Sequence, residues 1–361
     1  MKALRSIVVS FALALILSGA SQVFAQSNMK IGADLRYRHE LIDAEGKVQR
    51  NRERVRARIN MTAELNDEVT LGFQIASGTD SPVSTNQTFD GGFSSKQANI
   101  DLAYFQWNPA AVTGAAVTGG KVKNPFYVPG KTQLMWDSDL RPEGLAFQYS
   151  ISAGIADVFI NTSYFWIDER STAGDAILLG SQAGVDYDSP VGGLVFGVGY
   201  FDYQNAKGYS SFYDATDGFG NSVDNTGKYL YDYDDVEVFA ELTPAGALEK
   251  CTVFADFVSN IADGVDDSRS WLAGASYGKA SDPGTFDLKY SYRYIEKDAI
   301  IGAFTDSDFL GGGSDGKGHK IDFNYQVASK TKATVTVFLN QSGIDKSKEY
   351  TRIHFDLNFK L

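Results

Sequence analysis

Residues 50–58 read Arg50-Asn51-Arg52-Glu53-Arg54-Val55-Arg56-Ala57-Arg58, five arginines at every second position, and the alternation continues through Ile59, Met61, Ala63 and Leu65. Successive side chains of a strand point to opposite faces, so the spacing predicts a strand with one cationic and one apolar face. Five guanidinium groups on one side cannot form a dry core without partners, because burial of unpaired charge is costly. The cationic face must therefore meet water or carboxylates. Such a strand fits the wall of a soluble sheet, and it also fits a membrane barrel with an aqueous lumen.

Outward from this strand, the ends and the composition narrow the choice. Lys2 and Arg5, an apolar run from Ile7 to Leu17 and small residues ending in Val23-Phe24-Ala25 have the layout of a Sec signal peptide over residues 1–25. Residues 26–361 then read as a single domain. No later stretch supplies the roughly 18 to 20 consecutive apolar residues of a transmembrane helix. Cys251 is the only cysteine, so no intramolecular disulfide staples the fold. The formal charge is −12, and removal of Lys2 and Arg5 with the leader takes it to about −14, which argues against nucleic acid as a partner. Nineteen tyrosines, 24 phenylalanines and 36 glycines against eight prolines suit a strand-rich chain with aromatic side chains at membrane interfaces.

Alternation predicts sixteen strands, at 29–41, 50–65, 68–78, 97–107, 114–123, 143–151, 154–166, 175–187, 192–203, 233–242, 250–260, 269–279, 284–295, 317–327, 332–340 and 350–361. Their connections alternate between short turns, such as Asn66-Asp67 and Ser329-Lys330, and a second set that includes the long stretches 79–96, 124–142, 204–232 and 296–316. That rhythm predicts a closed antiparallel transmembrane β-barrel with short periplasmic turns, longer outer loops and both termini on the periplasmic side, set in outer-membrane lipids. The last strand carries Ile353, Phe355, Leu357, Phe359 and Leu361 against Arg352, His354, Asp356, Asn358 and Lys360. It is amphipathic throughout.

Gly119-Gly120-Lys121-Val122-Lys123-Asn124-Pro125-Phe126 at a strand end, Met135-Trp136-Asp137-Ser138-Asp139-Leu140-Arg141-Pro142-Glu143-Gly144 and the arginine strand together resemble the trimeric general porins and, more closely, the Putative porin family of Gram-negative bacteria. The resemblance implies a water-filled channel for passive diffusion of small hydrophilic solutes and ions. It also implies a homotrimer, with no cofactor and no catalysis. In such porins the loop after the fifth strand folds into the lumen and faces acidic residues toward a wall of arginines. Here that loop is 124–142, with Asp137 and Asp139, and Glu143 follows it. The expected basic wall comprises Arg36, Arg38, Arg50, Arg52, Arg54, Arg56 and Arg58, extended by Lys121 and Lys123. Charged rings in a narrow aqueous path filter ions electrostatically. The blander alternatives are a lumen wall paired only locally, an ordinary exposed loop, and lysines at the headgroups.

The first two strands pair across their loop with Arg36 opposite Arg56 and Arg38 opposite Arg54, or one step shifted. Like charges directly opposite are destabilising. Asp34 and Glu40 offset the ends of this cluster, and its middle needs acids from elsewhere. The acid-rich stretches 214–235 and 306–315 lack calcium-loop spacing and read as solvated rim, with no metal site expected. His39, His319 and His354 form no nucleophile and base constellation, so catalytic residues are not expected. A channel specific for anions or sugars, and a barrel enzyme or adhesin, stand as the alternatives.

Overall fold

The computed structural model describes residues 28–345 and 347–361; residues 1–25, expected as a signal peptide, lie outside the described residues. The strands are β1 (Asn28–Ala44), β2 (Arg50–Glu64), β3 (Val69–Ser77), β4 (Gln87–Thr88), β5 (Ala98–Trp107), β6 (Ala115–Lys121), β7 (Glu143–Ser152), β8 (Ala156–Asp168) and β9 (Ala176–Ser189). They continue as β10 (Gly192–Gln204), β11 (Tyr233–Pro244), β12 (Cys251–Asn260), β13 (Arg269–Gly278), β14 (Phe286–Ile295), β15 (Gly316–Ala328), β16 (Thr331–Ser342) and β17 (Lys348–Lys360). Sixteen of these are the expected spanning strands. The two-residue β4 was not expected: it is a fragment of the loop after β3 that lies against Arg54 and Val55 of β2.

Each spanning strand pairs antiparallel with its neighbours in the chain, and β17 closes on β1 from Asp34↔Lys360 to Ala44↔Tyr350. Closure leaves every spanning strand paired on both sides, which a bilayer requires because lipid offers no hydrogen bonds. The outer face carries apolar residues at alternate positions, for example Leu35, Ile59, Phe147, Phe196, Phe323 and Phe355, all exposed. Among the described residues no helix is long and apolar enough to cross a membrane.

The lumen is not uniformly polar. Three loops fold inward, 122–142, 205–232 and 296–315, and their apolar residues merge with inward side chains of β8 to β14 into one buried cluster. Phe126 and Trp136 meet Phe201 of β10 at ring separations of 4.9 and 5.4 Å, and Phe304 stacks on Phe212 at 5.7 Å. A Cβ on Gly180 of β9 would lie 2.5 Å from the Phe126 ring, so glycine there lets the aromatic side chain seat on the wall. Aromatic side chains are divided between the lipid face and the interior. Those inside line this plug, where the loops give them an apolar surface to cover.

A charged constriction as the candidate functional site

β1 and β2 pair in the unshifted register: Asp34↔Arg58, Arg36↔Arg56, Arg38↔Arg54 and Glu40↔Arg52. All eight side chains share the inward face, since Leu35, Tyr37 and Ile59 on the other parity are exposed outward. β17 adds Arg352, His354, Asp356 and Asn358 to the same wall, with Asp356 opposite Arg38 and His354 opposite Glu40. The two like-charge pairs are thus bracketed by acids along and across the strands.

The ion pairs are short and mostly shielded. Glu40, fully buried, meets Arg52, lies 3.7 Å from Arg54 and accepts from Arg352 at 2.7 Å. Asp34 holds Arg58 at 2.9 Å and Arg56 at 3.3 Å. Asp356 takes Arg38 at 2.7 Å and approaches Arg36 at 3.9 Å. Arg36 also donates to Asn86 at 2.6 Å, so the loop carrying β4 supports the ladder. Charge-assisted pairs of this kind are strong but leave a large penalty when one partner is removed.

The missing acids come from two inward loops. Asp139 lies 4.0 Å from Arg56, 3.9 Å from Arg58 and 4.0 Å from Arg141, and accepts from the Thr85 amide at 3.1 Å. Burial opposes its ionisation, but Arg56, the Thr85 amide and Arg36 outweigh this and hold its carboxyl below the usual carboxylate range. Asp308 accepts from Arg38 at 3.0 Å and forms an ion pair with Arg352 at 2.6 Å. Burial opposes its ionisation too, and Arg352, His354 and Arg38 hold it well below that range. Asp306 pairs with Arg293 at 2.9 Å and Lys320 at 3.4 Å.

Loop 122–142 crosses the lumen to the far wall. The Gly130 amide donates to Glu241 at 2.6 Å, Lys289 donates to the Gly130 carbonyl at 3.0 Å, and Arg293 donates to the Gln133 carbonyl at 3.1 Å. It is locked to loop 296–315 by the Asp137 amide donating to the Phe304 carbonyl at 2.7 Å and the Ser307 amide donating to the Asp137 carboxylate at 2.9 Å. Between the loops and the basic wall lies a cavity of about 220 Å³ lined by Arg36, Arg38, Arg56, Lys332, Asp139 and Asp308 among others.

The other predicted residues lie around the margins of this arrangement. Lys121 pairs directly with Glu143 across β6 and β7, at 2.7 Å, on the same face as the exposed Leu145 and Phe147. Lys121 also donates to the Arg141 carbonyl at 3.3 Å, and both side chains border a pocket shared with Asp101, Asp139 and Arg141. Lys123 is exposed on the loop just beyond, and Arg50 is exposed at the end of β2, outside the paired ladder. Asp137 is buried where the two loops meet and borders the cavity of about 220 Å³: burial, Asp306 and Asp139 push its carboxyl well above the usual range. The stretch 306–315, expected as solvated rim, lies inside the barrel because Ile300, Ile301 and Phe304 bury themselves in the plug. Of the histidines, His39 and His319 bond outward-facing Glu53 and Tyr290, and His354 packs within the ladder beside Glu40.

A closed sixteen-stranded barrel whose lumen is narrowed by inward loops facing a charged wall defines a pore-forming outer-membrane protein of the porin class. The chain belongs to the Putative porin family, whose model matches residues 28–230 and 219–361. No curated protein matches the chain. Among solved structures, OprB of Pseudomonas putida is similar with a TM-score of 0.63 at 10% identity, over 96% of this chain and 97% of that one. A mutant porin of Rhodopseudomonas blastica matches at 0.53 and 13% identity, over 92% and 100%. OmpT of Vibrio cholerae, in a trimer form, matches at 0.51 and 12%, over 93% and 99%. At such identities these likenesses speak to the fold alone.

Proposed function

We propose that the chain is a passive diffusion channel for small hydrophilic solutes and ions, in which the water path runs between the arginine ladder and the loop carboxylates. The observation that carries this reading is Asp139, brought by an inward loop to within 4.0 Å of Arg56 and Arg58 on the opposite wall. Opposed charges at a narrow point set a transverse field that orders ions and polar solutes. Seven arginines, Arg36, Arg38, Arg52, Arg54, Arg56, Arg58 and Arg352, share five carboxylates, Asp34, Glu40, Asp139, Asp308 and Asp356. The excess of cations favours anions despite the acidic whole.

A channel selective for particular solutes is the second reading, supported by the apolar plug that fills part of the lumen and leaves a small polar opening. Assembly as a homotrimer, with the short turns in the periplasm, is supported by the family resemblance and by the trimer form of the Vibrio cholerae protein. Planar-bilayer recording of the purified, folded protein tests the main reading. Stepwise conductance with modest anion preference is expected. A folded protein that conducts nothing overturns the channel, and block of the current by one solute class at low concentration favours the selective reading.

A further inference from the structure

We infer that loop 296–315 is a second jaw of the constriction and that Asp308, at its tip, is a specificity-determining carboxylate equal in weight to Asp139. This rests on the channel reading above. The loop is anchored at its root by the Thr305 hydroxyl, which donates to the Leu134 carbonyl at 2.6 Å, and by the Ser307 hydroxyl, which donates to the Val83 carbonyl at 2.9 Å. These bonds fix the next residue against the wall. Asp308 then reaches Arg38 on β1 and Arg352 on β17 at once, at 3.0 and 2.6 Å, and lies 3.9 Å from His354. Its side chain remains 21% exposed, the most open of the ladder carboxylates, and it lines the 220 Å³ cavity.

The strand-borne pairs show why Asp308 acts on selectivity more than on the fold. Arg38 keeps Asp356, and Arg352 keeps Glu40, whatever stands at position 308. Neutralising Asp308 therefore leaves each arginine a carboxylate while adding one uncompensated positive charge beside the water path. Neutralising Asp139 frees charge at Arg56 and Arg58, one strand further round. The two loops thus trim the same ladder from two sides, and the anion preference of the pore is what remains after both.

The test compares reversal potentials in a KCl gradient for the full mature protein and its Asp308→Asn, Asp139→Asn and Asp263→Asn variants. Asp263 lies exposed in the loop 261–268, away from the ladder. Heat-modifiable migration on a gel certifies each folded barrel. Asp308→Asn is expected to raise the chloride-to-potassium permeability ratio about two- to fivefold, as Asp139→Asn does, with Asp263→Asn at the wild-type value. Asp308→Cys in a Cys251→Ser background provides a second arm. An anionic thiol reagent should return the ratio toward wild type, and a cationic one should raise it further. A wild-type ratio in Asp308→Asn, with Asp139→Asn shifted, overturns this inference and leaves the channel reading intact. A wild-type protein without conductance overturns both.

Discussion

The two halves of the lumen solve the same problem in opposite ways. On β17, β1 and β2 the inward face is almost wholly charged, and each arginine sits against a carboxylate from a neighbouring strand or an inward loop. Across the barrel, β8 to β14 present rings and aliphatic chains to the same loops. Acids occur there too: Asp235, Glu237 and Asp256 are buried, and neither carboxylate oxygen of Asp235 has a hydrogen-bond partner among the described residues. No ion pair involves these three among the described residues. The charged half is built around pairing beside water, and the apolar half excludes water. A solute path is therefore expected to run eccentrically, along the arginine wall.

Breaking the charged half should cost most. Arg352→Ala breaks two buried pairs at once; Glu40 keeps Arg52 and Arg54 and Asp308 keeps Arg38, and the loss is expected at about 3–5 kcal/mol, read as a lower urea midpoint in lipid vesicles. Opening the apolar half comes next. Trp136→Ala removes the ring that packs on Phe126 and Phe201 and should cost about 3 kcal/mol while raising single-channel conductance as loop 122–142 loosens. Unchanged conductance would show that the plug does not border the water path.

The pH dependence sharpens the contrast. Asp308 and Asp139 have folded-state carboxyls held below their ordinary range, so their contribution is fully present above that range and is lost as pH falls through the depressed values. Asp308→Asn should cost about 1–2 kcal/mol at neutral pH and progressively less as the medium is acidified below the ordinary carboxylate range. A cost that does not vary with pH would place Asp308 outside the ionic network. The smallest effect is expected on the apolar side. Asp256→Asn removes an acid that has no cation partner among the described residues and should change stability by less than about 1 kcal/mol, with either sign.

The barrel was legible because a period of two is visible wherever one face meets lipid and the other meets charge. Alternation in β1 and β2 narrowed the register to the face-preserving pairings, and the structure takes the unshifted one, with Asp34 opposite Arg58 and Glu40 opposite Arg52. β1 runs on to Ala44, beyond the expected 41, because Tyr350 of β17 still pairs there. The loops were harder to read. Acid content made 306–315 look like solvated rim, although Ala299-Ile300-Ile301 and Phe304 just before it announce a segment that must bury itself.

The pairing of Arg38 with Asp356, and of Arg352 with Glu40, joins residues more than 300 positions apart through barrel closure. Spacing within one strand carries no trace of such partners. Hence the ladder could be seen as half of a charge arrangement, while its second half, spread over β17 and two loops, became visible only in three dimensions.

The most direct test of the account is the reversal potential of the Arg54→Ser, Arg56→Ser, Arg58→Ser triple variant against the wild type, measured across one bilayer in a salt gradient. If the conducting path follows the arginine wall, removal of three inward cations must shift the potential clearly toward cation selectivity. A reversal potential identical to the wild type in a folded, conducting variant would contradict the account, because ions would then be crossing the barrel away from the ladder.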